Sequence, residues 1–202
     1  MNIKIRPNKK VFPFFMIISV FAILCMPKTT YSAQQSVSAK AVVIIGNSPT
    51  NDTTPNGWPT CGYIAQGPYS PPTHNVSPNR PAVDIQDENG TGDNIYSTHK
   101  GIVDNIFLND PLGGNGILIR GDKYITLYAH LQGFAPGITV NQQINAGTLL
   151  GYRDSTGNAI LPHVHYMIWD TSYNEISLTE FNSLVPPYSL LDTVTSTWGP
   201  CK

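Results

Sequence analysis

Short segments of strand-forming residues, separated by turn-forming residues, recur along most of this 202-residue chain, and no long segment has a helical period. Segments bounded in this way by Gly, Pro, Asn and Asp are typical of β-strands. The charged fraction of 12% and the abundance of Tyr, Asn, Thr, Gly and Pro also favour a β-domain over a helical one. The pattern predicts an all-β fold with strands near residues 62–66, 82–86, 101–108, 116–120, 124–130, 148–152 and 163–170.

Two local signals predict a hairpin and a short helix. Gly121-Asp122 suits the first positions of a type II′ turn and lies between two of the predicted strands. Ser177-Leu-Thr-Glu180 has the form of a capping box that opens a helix, and Pro186-Pro187 ends it. The hairpin also contains Arg120-Gly121-Asp122, a tripeptide known as an adhesion signal, although a tight hairpin requires Gly-Asp at this place anyway.

The first 33 residues differ in composition from the rest of the chain. Four basic residues come first, at positions 4, 6, 9 and 10, and an apolar run over residues 11–26 follows them. Small and polar residues come next, and this order is typical of a secretory signal peptide. The alternative is a retained membrane anchor, but the run is shorter than the roughly 20 residues that a spanning helix needs. We therefore predict that residues 1–33 are a signal peptide, and that the mature chain is secreted or lies in the periplasm or cell envelope without stable membrane insertion.

The charge of the mature chain argues against nucleic acid as a partner. Loss of the leader removes five of the twelve basic residues and none of the acidic ones, which leaves 7 basic and 13 acidic residues and a net charge of −6. Proteins that bind nucleic acid neutralise phosphates with basic surface, which this chain lacks.

The length fits one domain of ordinary size behind a processed leader. Residues 34–56 contain one apolar stretch followed by loop-forming residues, so we predict an N-terminal extension or linker there. Of the three cysteines, Cys25 lies in the leader, and Cys61 and Cys201 remain. In an exported protein such a pair predicts one disulfide, the alternative being two free thiols.

The chain has five histidines, and the pair His163 and His165 is the most informative for function. Side chains alternate faces along a strand, so these two imidazoles project the same way with roots about 7 Å apart. Two imidazoles on one face suit a metal ion. The spacing alone does not say whether both bind it or whether one of them handles protons.

A third histidine, His130, ends another predicted strand. Regular alternation along residues 124–130 places it on a polar, aromatic face of that strand, together with Tyr124, Thr126 and Tyr128. We interpret this face as the lining of a groove rather than as part of a core.

Five short motifs follow one another along the chain: Ala82-Val-Asp-Ile85, Tyr96-Ser-Thr-His-Lys-Gly-Ile-Val103, Tyr128-Ala-His-Leu131, Ser155-Thr-Gly-Asn158 and Pro162-His-Val-His165. In this order they resemble the motifs of the lysostaphin-type (LytM-like) zinc endopeptidases, which cut peptide cross-links in bacterial cell walls. Asn115-Gly116 and Ala146-Gly147 fall where that family places its other glycine turns. The resemblance covers roughly residues 58–170 and implies a curved antiparallel β-sheet or sandwich with an active-site groove.

The resemblance also implies a role for each residue of the site. Asp84 and His165 correspond to zinc ligands, and His130 and His163 correspond to the two catalytic histidines that do not bind the metal. Neutral imidazoles and a carboxylate hold Zn²⁺ and leave one position open for water, whose pKa the metal lowers. Histidines beside it can move protons or stabilise an oxyanion.

The third zinc ligand is where this sequence departs from the family. The family usually has a histidine four residues before the aspartate, but Arg80 occupies that position before Asp84. A guanidinium stays protonated and cannot bind zinc. Some relatives instead have a Gln-Gly-Pro segment, a Thr-His or Ser-His pair and a longer spacer, which Gln66-Gly-Pro-Tyr69 and Thr73-His74 resemble. We therefore expect His74 to be the third ligand.

Two further residues have more than one interpretation from the sequence alone. Tyr69 resembles a family tyrosine that helps to stabilise the oxyanion, but an aromatic residue in a Pro-rich loop can equally serve packing. His99 lies in a turn before a strand, and we assign it a surface or supporting role rather than metal binding.

These observations predict a secreted zinc endopeptidase that acts on peptidoglycan peptides, with the peptidase domain at residues 57–176 and a C-terminal extension with a short helix at 177–202. We expect a monomer. The alternative is a non-catalytic member of the same fold that binds peptidoglycan or activates another enzyme, and Arg80 is the position where loss of the metal site would show.

Overall fold

The computed structural model describes residues 52–87 and 90–201, and in this part of the chain it contains ten strands and one helix. The predicted signal peptide and most of the N-terminal extension lie outside the described residues. The strands are β1 Gly62–Gln66, β2 Ala82–Gln86, β3 Asn94–Tyr96, β4 Gly101–Asp110, β5 Gly114–Arg120, β6 Tyr124–Phe134, β7 Gln143–Ile144, β8 Leu149–Arg153, β9 His163–Asp170 and β10 Thr193–Val194, and the helix is α1 Leu178–Leu184.

All of these strands join one antiparallel sheet in the order β10-β1-β2-β9-β6-β5-β4-β7, with β8 paired to β6 and β3. Strand β6 pairs with β5 along one edge, and two other strands share its opposite edge. Its first half, to Ala129, pairs with β9, and its second half, from Leu131, pairs with β8. The predicted all-β antiparallel fold with a short C-terminal helix is confirmed.

All seven predicted strands are present, and three of them have the predicted bounds. Strands β1, β2 and β9 have the predicted bounds, and β6 continues four residues beyond the predicted end, to Phe134. Strands β3, β7 and β10 were not predicted. They have only two or three residues each, which is too short for a sequence period to appear, and they form because a neighbouring strand pairs with them.

One face of the central strands packs into the hydrophobic core together with α1. In the β2–β9 pair Val83 lies opposite Tyr166 and Ile85 lies opposite Val164, so these side chains share one face. All four are fully buried. Phe181 of α1 packs into the same cluster.

The predicted groove lining is wrong, because Tyr128 and Thr126 are fully buried in the core. Their hydroxyl groups find partners inside the protein, so polarity did not mark an exposed face. The Tyr128 hydroxyl accepts a hydrogen bond from the Thr98 amide at 2.9 Å, and the Thr98 hydroxyl lies 2.8 Å from that of Tyr166. Tyr124 is half-buried and packs against the same core.

The helix α1 has the predicted cap. Its N-cap residue is Ser177, whose Oγ accepts a hydrogen bond from the Glu180 amide at 3.1 Å. Phe181 and Leu184 face the core, and the helix ends at Leu184, directly before Val185 and the two prolines. No helix in the described part of the chain is long and apolar enough to cross a membrane.

The predicted hairpin joins β5 to β6, but its turn differs in type. The Gly121 amide donates to the Tyr124 carbonyl at 2.8 Å. The backbone of Gly121 does not have the positive φ that the first position of a type II′ turn requires. Glycine is needed there for another reason, since a Cβ would lie 2.3 Å from the Thr53 carbonyl oxygen.

The predicted disulfide joins Cys61 to Cys201, with Cα atoms 5.7 Å apart. The carbonyl of Cys61 also accepts a hydrogen bond from Arg153 at 2.7 Å. Arg153 has no exposed surface, and it forms ion pairs with Asp87 and Asp93. The end of the chain is thus fastened to the beginning of the sheet.

Candidate metal centre

The pairing of β2 with β9 places Asp84 directly opposite His165. Both side chains lie on the face opposite to Val83 and Tyr166, outside the core described above. The Nδ1 atom of His165 is 2.9 Å from Oδ1 of Asp84. Two adjacent strands with a fixed register therefore hold two of the predicted ligands together.

The third predicted ligand, His74, comes from the connection between β1 and β2 and is fully buried. Its Nε2 atom is 3.3 Å from Oδ1 of Asp84 and 3.3 Å from Nδ1 of His165. Its Nδ1 atom is 2.9 Å from the carbonyl oxygen of Gly67, which can only accept a hydrogen bond. Nδ1 therefore carries the proton, and the lone pair of Nε2 faces the other two ligands.

These three atoms fit a zinc ion. They lie 2.9 to 3.3 Å from one another, and ligands at 2.0–2.1 Å from a tetrahedral zinc are about 3.3 Å apart. Two imidazoles and one carboxylate form a typical catalytic zinc set with one open position. Although burial raises the pKa of Asp84, the neighbouring imidazoles of His165 and His74 hold that pKa well below its usual range, so the carboxylate is ionised.

His130 reaches the same site through a β-bulge in β6. In the β5–β6 ladder Asn115 pairs with Leu131 and Ile117 pairs with Tyr128, so two residues of β6 lie opposite one residue of β5. His130 has a φ of 62°, which breaks the alternation of the strand. Its ring centroid is 4.5 Å from that of His163 and 6.0 Å from that of His165. Regular alternation predicts that His130 shares the face of Tyr128, and the bulge makes this prediction wrong.

The rings of His130 and His163 are oriented by backbone carbonyl groups. Nδ1 of His130 is 2.8 Å from the Thr156 oxygen, and Nδ1 of His163 is 2.8 Å from the Leu161 oxygen. Each ring thus carries its proton on Nδ1 and has a lone pair on Nε2. Nε2 of His163 is 3.7 Å from Oδ1 of Asp84. Burial, with the nearby His163 and His165, lowers the pKa of His130 to about 4, so its ring is neutral at pH 7.

Two other residues that the sequence singled out are not aimed at the metal centre. Arg80, at the usual ligand position of the family, points to Glu175 and forms an ion pair of 2.6 Å. The Tyr69 hydroxyl donates a hydrogen bond to the Ile176 carbonyl.

His99 is fully buried and bonds the Lys100 carbonyl and the Thr126 hydroxyl, at 2.9 and 3.0 Å. Burial lowers its pKa to about 4. It supports the core rather than lying on the surface.

Sequence reasoning missed the backbone that holds His130 and His163. The Asp154 amide donates to the His130 carbonyl at 3.1 Å, and the His163 amide donates to the Asp154 carbonyl at 3.0 Å. The carbonyl of Thr156, two residues after Asp154, accepts the Nδ1–H of His130, and the Thr156 hydroxyl donates to the Leu131 carbonyl at 2.8 Å. The Ser-Thr-Gly-Asn motif was the available signal, but its contacts depend on the fold.

Comparisons with known proteins agree with this geometry. Residues 79–177 match the sequence profile of peptidase family M23. The match includes Asp84, His130, His163 and His165, and it begins after His74. No curated protein matches the chain.

The solved structures that are similar to this chain include the following three. A zinc containing peptidase from Vibrio cholerae has a TM-score of 0.51 at 21% identity, over 62% of this chain and 39% of that one. The catalytic domain of lysostaphin from Staphylococcus simulans has a TM-score of 0.45 at 24% identity, over 58% of this chain and 83% of that one. The catalytic domain of the prophage-encoded M23 protein EnpA from Enterococcus faecalis has a TM-score of 0.47 at 20% identity, over 57% and 85%. Residues 79–177 therefore carry a peptidase family M23 domain, in agreement with the antiparallel fold and with the resemblance to the lysostaphin-type peptidases.

Proposed function

We propose that the chain is a secreted, zinc-dependent endopeptidase that hydrolyses peptide bonds of bacterial cell-wall peptidoglycan. The observation that carries this proposal is the cluster of three ligand atoms on His74, Asp84 and His165, 2.9 to 3.3 Å apart, beside two oriented histidines. The peptidase family M23 domain supports the reaction class, and the resemblance to lysostaphin-type enzymes supports peptidoglycan peptides as the substrate.

In this proposal Nε2 of His74, the Asp84 carboxylate and Nδ1 of His165 would hold Zn²⁺. A zinc ion held by such a set polarises a scissile carbonyl group and lowers the pKa of a water molecule to about 7. Asp84 serves only as a ligand, because its carboxylate remains ionised between two imidazoles.

His130 and His163 handle the protons. Each has its Nδ1–H fixed on a backbone carbonyl group, so a proton can be accepted only at Nε2. A neutral imidazole there can take the proton of the attacking water, and the resulting imidazolium can donate it to the leaving amine or stabilise the oxyanion. The Thr156 carbonyl also favours the imidazolium form of His130, because it accepts a hydrogen bond from the charged ring.

The proposed organisation of the chain keeps the predicted bounds: signal peptide 1–33, N-terminal extension 34–56, peptidase domain 57–176 and C-terminal extension 177–202. The basic, apolar and small-residue order of the leader supports export, and the disulfide between Cys61 and Cys201 suits an oxidising compartment. We propose that the mature enzyme acts as a monomer.

The experiment measures zinc content and peptidoglycan hydrolysis on the same purified protein. We expect one zinc per chain and release of soluble fragments from purified sacculi, lost on chelation and restored by Zn²⁺. His163→Ala should keep its zinc and lose activity by about 10²–10⁴-fold, the usual contribution of a general acid or base. His74→Ala should lose both.

The alternative, a non-catalytic wall-binding protein, predicts a different result for zinc content and hydrolysis. A protein that binds sacculi without zinc, or that carries zinc and cuts neither sacculi nor cross-bridge peptides, would refute the proposed enzymatic function.

The structure gives no support to an adhesion role for residues 120–122, because Arg120 binds Asp104 through two hydrogen bonds of 2.8 and 3.0 Å. Asp122 accepts a further hydrogen bond from the Thr53 hydroxyl.

A further inference from the structure

The connection between β1 and β2, residues 67–81, has no helix or strand of its own, yet it carries the buried His74. We call it the His74 loop. Parts of it are on the surface, and Val76 is 60% exposed. Asp84 and His165 lie on paired strands, whereas His74 must be held in place by contacts of the loop.

Arg80 is the centre of one such set of contacts. Its Nη2 atom is 2.6 Å from Oε2 of Glu175, and its guanidinium group lies 5.8 Å from the ring centroid of Tyr69. The Tyr69 amide donates to the Arg80 carbonyl at 2.7 Å, which closes the base of the loop. The Tyr69 hydroxyl then donates to the carbonyl of Ile176, the residue next to Glu175.

The same contacts continue to the metal centre. Tyr69 lies two residues after Gly67, whose carbonyl accepts the Nδ1–H of His74 at 2.9 Å. The Ser70 hydroxyl donates to the same carbonyl, and the Ser70 carbonyl accepts from Nε2 of Gln66 at 3.0 Å. The position of the Gly67 carbonyl, and with it the orientation of the His74 ring, thus follows the position of residues 69 and 70.

Glu175 is itself fixed to the strand that carries His165. It forms a β-bridge with Trp169 of β9, and the Asp170 amide donates to the Asn174 carbonyl at 3.0 Å. The ion pair between Arg80 and Glu175 therefore fastens the His74 loop to β9. It connects the irregular segment that carries His74 to the strand that carries His165.

We propose that Arg80 and Glu175 are positioning residues that hold the His74 loop so that His74 completes the zinc site. Arg80, at the usual histidine position of the family, then helps to position the histidine that replaces the usual ligand. This inference rests on the proposed function of His74 as a zinc ligand. It adds a separate prediction for Arg80 and Glu175, which are not among the proposed ligands.

The test compares Arg80→Gln and Glu175→Gln with the parent protein in two measurements. The first is zinc retention by the purified zinc-loaded protein against increasing chelator. Loss of a group that supports a metal ligand typically weakens metal affinity by 10–100-fold, and we expect about tenfold for either variant. The second is deuterium uptake of the backbone over residues 67–75, which should become faster. The swapped variant Arg80→Glu with Glu175→Arg should recover much of the affinity.

Arg120→Gln is the matched control. Arg120 is 28% exposed and forms an ion pair with a 25% exposed Asp104, comparable with 42% and 15% for Arg80 and Glu175. The Arg120 hydrogen bonds go to Asp104 and Thr171, outside the His74 loop. It should change thermal stability without changing zinc retention.

Equal zinc retention and equal deuterium uptake in both single variants and the parent would overturn the proposal. A swapped variant no better than the single ones would count against the ion pair. A parent protein that holds no zinc would instead refute the proposed function, and deuterium uptake would still decide whether the ion pair orders the loop. Variants that unfold would be recognised by circular dichroism, and the isosteric Glu175→Gln then carries the comparison.

Discussion

Replacement of His99 by Gln should flatten the acid side of the stability profile of this protein. His99 is fully buried, with Nδ1 on the Lys100 carbonyl and Nε2 on the Thr126 hydroxyl. Burial lowers its pKa from 6.5 to about 4, against the opposing effects of the Lys100 carbonyl and the Asp52 carboxylate. The folded protein therefore keeps this imidazole neutral at pH values where the unfolded chain protonates it.

The sign and the size of the effect follow from this difference. Between about pH 6.5 and pH 4 the unfolded chain binds a proton that the folded chain does not, so the free energy of unfolding falls as the pH falls. The stability is fully present above the unfolded pKa and is lost on the way down to the folded one. With 1.36 kcal/mol for each pKa unit, the loss for His99 is about 3 kcal/mol.

The assay is urea unfolding of the parent and of His99→Gln, at one pH well above 6.5 and at one near 4. Glutamine does not titrate, so the parent should lose about 3 kcal/mol more than the variant between the two pH values. The other four histidines are common to both proteins, and their contributions cancel in the difference. Parallel stability profiles would refute the reasoning, because His99 would then titrate alike in the folded and unfolded chains.

Three further substitutions test the fold, each by urea unfolding at neutral pH. Replacing Cys61 and Cys201 by Ser should cost about 5 kcal/mol, because the disulfide closes a loop with a sequence separation of 140. A cost near zero would contradict this bond. Tyr128→Phe should cost about 1–3 kcal/mol, because the buried Thr98 amide loses its acceptor. Ser177→Ala should cost about 1 kcal/mol through the lost helix cap, and an unchanged value would show that α1 is held by packing alone.

Regular alternation and turn chemistry were enough to predict most of the sheet. Strands β2 and β9 were predicted with their observed bounds, because each is a buried segment between clear breaks. Their register then puts Asp84 opposite His165, which periodicity alone could not derive. The short strands β3, β7 and β10 depend on pairing with a neighbouring strand, so no local sequence pattern predicts them.

The wrong interpretation of the groove has a physical cause. Alternation separates the two faces of a strand but does not say which face is inside. A Tyr and Thr face is compatible with burial when its hydroxyl groups bond one another, as those of Tyr128, Thr98 and Tyr166 do. Whether this face is buried therefore depends on hydrogen-bond partners that are 30 and 68 residues apart in the chain.

The position of His130 shows why the remaining part of the site was beyond sequence patterns. A residue other than glycine with a φ of 62° costs about 1–3 kcal/mol, and such a conformation persists only where neighbouring contacts hold it. Here the His130 amide donates to the Gly113 carbonyl at 2.9 Å, and its carbonyl accepts from the Asp154 amide at 3.1 Å. The Thr156 carbonyl fixes the ring.

The turn at residues 154–158 and the beginning of β5 therefore create the bulge that turns His130 towards His163. A strand of the same sequence without these contacts would keep regular alternation and direct His130 into the core, beside Tyr128. The geometry of the site thus depends on backbone groups that are not among the proposed zinc ligands. Because these are main-chain contacts, they depend on the conformation of the 154–158 turn, and a change that alters this turn should move His130 even when all five proposed site residues are intact.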